Sequence, residues 1–260
     1  MKRRAKRPPP NRAACAAASL RPSIGTAAGP PALGAKNASV PWRWRFGART
    51  LWIVPDQPCR VLSWAPLGGG VRIARLLANH QVVLDDREAL RAPRAYLARV
   101  VRAAGHDARR TVAMMTGAEV ARAGHAVAAR DGVGVGSWCT AGFSNALRAG
   151  DRATVGSSHV GTINIIVIVN RPLVHGAMVE AVQVATEARV LAVLEAGIKS
   201  VRSGAPATGT GTDCIAIAAP LRAPARGAHA EPYCGKHTLL GELIGRAVLE
   251  SCARAIRGIR

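Results

Sequence analysis

Two short stretches carry residue types at spacings suited to chemistry. The first is Thr208-Gly-Thr-Gly-Thr212, followed at once by Asp213. Alternating glycines leave backbone N–H groups free to face an anion, or the oxyanion that develops when an amide is attacked. Asp213 opens an apolar run, where a carboxylate can reach a cleft while its backbone joins a sheet. It is the first candidate for a general base, with Thr212 beside it. An aspartate that bonds its own turn meets this spacing equally well. The second stretch is Lys236-His237, just ahead of an amphipathic segment from about 238 to 256. A helix starting there would concentrate positive partial charge on an anionic or polarised carbonyl group. On composition alone, a surface histidine flanking a helix is the plainer reading of His237. Thr140, Ser144, Thr210, Thr212, Cys139 and Cys214 are nucleophile candidates, and in sequence no base adjoins any of them. Attack by water, activated by Asp213 or His237, with the oxyanion held by the Gly-Thr loop and Lys236, needs fewer parts.

Other chemistries fit less well. The chain has no phosphate-loop Gly-x-x-x-x-Gly-Lys-Ser/Thr, and Gly132-Val-Gly-Val-Gly136 misses the third glycine of a dinucleotide fingerprint. Cys234 and His237 make one Cys-x-x-His step with no second half-site nearby, so neither a metal nor any other cofactor is expected. Glu242, Arg246, Glu250 and Arg254 recur every fourth residue, which describes a solvated ion-pair stripe and not a catalytic group.

The elements that must position these residues are apolar and aliphatic. Of 260 residues, 49% are hydrophobic but only 3% aromatic, which suits helices packed on a Val, Ile and Ala sheet. Strands are expected at 50–54, 59–64, 111–116, 135–140, 162–169 and 213–219. Helices are expected at 88–104, 176–196 and 238–256. The run at 162–169 is apolar with almost no alternation, so it reads as a central strand with a helix on each face. The fold class is therefore α+β, a mixed sheet with central buried strands and helices on its faces. Residues 42–260 read as one domain, after a basic Pro- and Ala-rich tail at 1–41 with no sustained period.

The net charge of +21 is uneven: residues 1–50 hold eleven Lys or Arg and no Asp or Glu, leaving 25 basic and 15 acidic residues beyond. The body is only moderately basic, and no nucleic-acid partner is expected. No apolar stretch reaches the length of a membrane span. The six cysteines include no Cys-x-x-Cys pair, so a reducing, cytoplasmic setting is expected.

Four strings stand in order in the second half: Thr140-Ala-Gly-Phe-Ser-Asn145, Gly161-Thr-Ile-Asn-Ile165, Ala207-Thr-Gly-Thr-Gly-Thr-Asp213 and Tyr233-Cys-Gly-Lys-His-Thr238. Together they resemble the adenosylcobinamide amidohydrolase family, enzymes of corrinoid salvage. The likeness extends over roughly 60–250 and includes the Met114-Met115-Thr116 segment. The Gly-rich turn at 66–70 departs from the family, which usually has Asn where Gly68 stands. The resemblance implies hydrolysis of the aminopropanol amide of adenosylcobinamide to adenosylcobyric acid, and it strengthens Asp213, His237, Lys236 and Thr212 as catalytic candidates. A large amide-fringed ring needs many hydrogen-bonding groups. Thr140, Ser144, Asn145, Thr162, Asn164 and Thr210 are the candidates for binding it. The corrinoid, adenosylcobinamide or a relative, is expected as substrate and not as bound cofactor. A corrinoid-binding protein without hydrolysis is the alternative.

Overall fold

The computed structural model describes residues 41–83, 86–153, 161–222 and 229–259. Residues 1–40 of the expected tail lie outside the described residues. In chain order the elements are β1 (Trp42–Gly47), β2 (Thr50–Pro55), β3 (Cys59–Ser63), β4 (Gly70–Ala74), β5 (Leu76–Gln81), α1 (Arg87–Arg91), α2 (Pro93–Ala103), β6 (Thr111–Thr116), β7 (Gly124–Arg130), β8 (Val133–Ala141), β9 (Ala146–Leu147), β10 (Ile163–Val169), α3 (His175–Glu195), β11 (Gly209–Thr210), β12 (Cys214–Pro220) and α4 (Leu239–Arg257). The fold is α+β.

Two main sheets form. One has the order β1-β2-β5-β6 and the other β4-β3-β12-β10-β8-β7, while β9 and β11 pair separately. Both sheets are mixed, with β5–β6 and β10–β12 parallel and the remaining pairs antiparallel. Alternation along β10 shows how the layers stack. Ile163, Ile165, Val167 and Val169 pack with Met178, Ala185, Leu243 and Val248 of α3 and α4. Ile166 and Ile168 pack with Leu51, Ile53, Leu77 and Met114 of the other sheet. That sheet's outer face, through Trp52, Leu76 and Ala78, is covered by Ala89, Tyr96 and Leu97 of α1 and α2. The order is helices, sheet, sheet, helices.

The central strand is thus covered on both faces as expected, but by helices on one side only. An apolar run reports that both faces are dry; it does not say whether a helix or a second sheet dries them. The expected helix over 88–104 is also two. Pro93 takes the first position of α2, and Ala92 before it leaves the helical region at φ −138°, as the residue preceding a proline tends to do. Two histidines, buried His80 and half-buried His125, complete the inner packing. His125 stacks on Trp138 at 4.7 Å, and His80 sits 2.7 Å from the Thr50 hydroxyl. Burial, then nearby Arg49 for His80 and Arg254 for His125, lowers both imidazoles to about 4.

Candidate functional site

Strand register brings the sequence candidates together. The parallel strands β10 and β12 begin side by side, with Asn164 opposite Cys214. The antiparallel β8 ends at the same level, with Thr140 opposite Asn164. The loops that enter and leave these three strands carry Asn145, Gly161, Thr162, Thr210, Thr212 and Asp213 onto one end of the six-stranded sheet. Ligand sites in sheets of this kind favour such strand ends because loops there are free to vary while the strands stay rigid.

Asp213 is the hub. Its Oδ1 accepts from the Ile163 N–H at 3.0 Å and from the Thr210 hydroxyl at 2.5 Å. Its Oδ2 accepts from the Thr210 N–H at 3.0 Å and from Arg189 Nη1 at 2.6 Å. Side-chain exposure is only 8% for Asp213 and 13% for Arg189, so the pair is held largely out of water. Two donors on each oxygen fill the acceptor positions of a carboxylate. Gly209 lies against this pair, and a Cβ there would run into Asp213 Oδ2.

Around the hub is a ring of hydroxyls and carboxamides. The Thr162 hydroxyl meets both the Thr212 hydroxyl and the Thr212 carbonyl, the latter at 3.1 Å, and the Thr212 hydroxyl donates to Gly161 O at 2.9 Å. A Cβ on Gly161 would stand 2.6 Å from Asn145 Oδ1 and 2.8 Å from both the Ser144 hydroxyl and Gly142 O. Between the sheets, Asn79 Nδ2 donates to the Thr140 hydroxyl at 2.8 Å, and Asn164 Nδ2 donates to Asn79 Oδ1 and Met115 O, each at 2.9 Å. Two acceptors in this region are buried and receive no donor: Asn145 Oδ1 and Asn164 Oδ1. Their residues are 7% and 2% exposed. Thr212 and Ser144 reach the surface, and exposed Trp64 donates its indole N–H to Asp213 O at 2.7 Å.

The thiols near the site are held protonated. Burial pushes Cys214 up to about 11. A hydrogen bond with Cys252, and then burial, raises Cys139 as well. Nucleophilic sulfur chemistry needs thiolate, which both surroundings disfavour. Among the described residues no three His, Cys, Asp or Glu side chains converge as a metal site would require.

Lys236 and His237 do not join this cluster. The segment before α4 pairs through Glu231 with Leu173, beyond the far end of β10. Lys236 is 69% exposed and ion-paired with Glu187 at 2.5 Å. Glu187 stands two positions from Arg189 on α3, a spacing that points the two residues to different sides of a helix. His237 is exposed. The string around them has a structural account: Cys234 is fully buried, Thr238 caps α4 by accepting from the Gly241 N–H at 3.0 Å, and Gly241 packs on the carbonyls of Cys234 and Gly235 so closely that no Cβ fits. Glu242 keeps its surface role, paired with Arg246 at 3.2 Å and with Arg130 at 2.7 Å.

Sequence reasoning missed Arg189, Asn79 and Trp64. Arg189 had one signal, a single cation in the otherwise apolar run Ala188-Arg-Val-Leu-Ala-Val-Leu194. Asn79 stands in a strand whose Asn-His pair masked its alternation.

Residues 41–258 match the family model described as adenosylcobinamide amidohydrolase. The uncharacterized protein MJ1613 of Methanocaldococcus jannaschii is 29% identical over 206 residues, covering 72% of this chain and 78% of its own length. Solved structures give looser likenesses. The PH0078 protein of Pyrococcus horikoshii has a TM-score of 0.43 at 11% identity, over 85% of this chain and 80% of that one. A beta-aminopeptidase of Burkholderia sp. has a TM-score of 0.40 at 18% identity, over 80% and 77%. The L-aminopeptidase D-Ala-esterase/amidase of Ochrobactrum anthropi has a TM-score of 0.42 at 12% identity, over 91% and 82%.

Proposed function

This chain belongs to the adenosylcobinamide amidohydrolase family, and from that premise we propose that it hydrolyses the aminopropanol amide of adenosylcobinamide to adenosylcobyric acid at the β10–β12 strand ends. The observation that carries the placement is the pair of buried, undonated carboxamide oxygens, Asn145 Oδ1 and Asn164 Oδ1, at the same strand ends as the Asp213–Thr210 pair, Asn164 standing on β10 beside the Ile163 N–H that Asp213 accepts. A buried acceptor without a donor costs about 1–3 kcal/mol. A substrate rimmed with amide N–H groups supplies donors of the kind these oxygens lack. Ser144 and Thr212 line the exposed side of the cluster, and buried Thr162, bonded to Thr212 beneath them, completes the binding set.

In this reading Asp213 acts through Thr210. Its acceptor positions are filled, so the proton it takes is the one already shared with the Thr210 hydroxyl. Thr210 Oγ attacks the amide carbonyl carbon as its proton passes to Asp213 Oδ1. Collapse of the tetrahedral species breaks the C–N bond, and the proton leaves with aminopropanol. Water then hydrolyses the threonyl ester, giving its proton to Asp213, and the acid product departs with Thr210 restored. Arg189 holds Oδ2 so that Oδ1 stays aimed at Thr210. Lys236 and His237 have no part in this step. The enzyme is placed in the cytoplasm, in keeping with the free cysteines among the described residues. Residues 42–260 are proposed as the working unit, and protein lacking residues 1–40 is expected to retain aminopropanol release.

The test follows aminopropanol release and adenosylcobyric acid formation by chromatography with mass detection. Release by the wild type, kept in Thr210→Ser and lost in the near-isosteric Thr210→Val, supports both reaction and site. Release undiminished in Thr210→Val sinks the assignment to Thr210. Tight corrinoid binding with no release from the wild type moves the protein to the binding class.

A further inference from the structure

Of the five tryptophans, Trp64 alone faces solvent. Trp42, Trp52 and Trp138 are buried and Trp44 is half-buried, while Trp64 is 52% exposed. Each of the others packs on a second ring: Trp42 and Trp44 on Trp138, and Trp52 on His106. Trp64 meets no other ring among the described residues. An indole carries one of the largest apolar surfaces of any side chain, with one polar handle at its edge. Here the handle is used and much of the rest is left open.

The ring is also held in place. Its N–H donates to Asp213 O at 2.7 Å. The backbone around it is fixed too, because the Ala65 N–H donates to the Ser63 hydroxyl at 3.0 Å and Leu67 exchanges two backbone hydrogen bonds with Ala113 of β6. The Gly-rich turn at 66–70 then folds back so closely that a Cβ on Gly69 would stand 2.6 Å from Ala65 O. Thr210 holds the carboxylate of Asp213 and Trp64 holds its carbonyl, so the open indole and the proposed nucleophile flank a single residue. A side chain ordered before its ligand arrives loses little freedom on binding.

Resting on the hydrolysis proposed above, we propose that Trp64 stacks on the adenine of the adenosyl group and makes this site prefer the adenosylated corrinoid. Adenine is the part of that substrate with a bare aromatic face. The corrin carries amide arms and axial ligands above and below its plane, and aminopropanol is not flat. Stacking of a base on an aromatic side chain is worth roughly tenfold or more in affinity, measured by alanine substitution.

The test uses the product, adenosylcobyric acid, which has no aminopropanol amide to hydrolyse, and cobyric acid with cyanide in place of the adenosyl group. Calorimetric titration of the full chain is expected to show wild type binding the adenosyl form more tightly than the cyano form. Trp64→Ala is expected to weaken the adenosyl form by about tenfold or more and to bring the two forms together. Trp64→Phe keeps an aromatic face but loses the bond to Asp213 O, so it is expected to retain most of the preference. No preference in the wild type, a preference that survives in Trp64→Ala, or equal weakening of both forms overturns the proposal. Binding with this pattern but no aminopropanol release from adenosylcobinamide sinks the hydrolysis reading and leaves the role of Trp64 standing. Binding of neither form sinks both.

Discussion

The Thr210–Asp213 turn and the Gly235–Thr238 turn look alike in sequence: both are Gly- and Thr-bearing loops, each holding an ionisable residue just ahead of a regular element. In the fold they are opposites. Asp213 is sunk among four donors that come from three separate stretches of chain. Lys236 and His237 stand in solvent, and the buried members of their string serve the start of α4. Pre-organised surroundings separate a site from a helix entry more reliably than residue type, because a catalytic group is useful only when its neighbours hold it in one geometry.

The largest expected effect breaks this comparison most cleanly if it fails. Thr210→Val and Asp213→Asn are each expected to lower kcat by about 100-fold or more, the range of a lost acid–base partner. His237→Ala and Lys236→Met are expected to stay within about threefold of wild type. Equal losses at both turns, measured as aminopropanol release, would return His237 to the mechanism. Next in size is the packing of the second turn. Gly241→Ala forces a Cβ into the Cys234 and Gly235 carbonyls and should destabilise by about 1–3 kcal/mol in denaturant unfolding, while kcat of the folded fraction is preserved.

Much of the scaffold was legible because periodicity survives in the interior. The run 111–116 coincides with β6, the run 162–169 became β10 with one residue's adjustment at its start, and 213–219 became β12 shifted by one residue. Strands β4, β5 and β7 were not legible. The residues of β4 are exposed but for Ala74, β5 carries Asn79 and His80 as buried polar groups, and β7 is Ala-rich, so none shows the alternation that marks a half-buried strand. The candidate site was half legible as a cluster. Thr140, Thr162, Asn164 and Asp213 were singled out by type and order, yet the carboxylate that Thr210 donates to is brought to it by a turn geometry and the partner of Asp213 by a helix 24 residues earlier. Neither relation has a sequence period.

The pH dependence of stability sharpens the same contrast, because its source lies in the packing and not in the proposed catalytic turn. The unfolded chain takes up a proton on His80 and on His125 near pH 6.5, whereas the folded protein resists until about 4. Between those values the unfolded state binds more protons, so stability is whole above about pH 6.5 and is lost as pH falls towards 4. The midpoint of thermal unfolding should drop by about 5 °C or more from pH 7 to pH 4.5. His125→Gln should flatten that slope, and a midpoint constant over this interval would count against burial of the neutral rings.

The smallest effect discriminates best between the two turns. Thr238 accepts a hydrogen bond from the Gly241 N–H as the cap of α4, and replacing such a cap by alanine costs about 1 kcal/mol. Thr210 makes a superficially similar bond to a residue three positions on. If both were turn formers, Thr238→Ala and Thr210→Ala would lower stability alike and leave turnover per folded molecule unchanged. The expected result is a split: a loss of about 1 kcal/mol with full kcat for Thr238→Ala, and a kcat defect out of proportion to any loss of stability for Thr210→Ala. Denaturant unfolding and turnover measured on the same preparations read both quantities, and parallel behaviour would reduce Thr210 to a cap on its own loop.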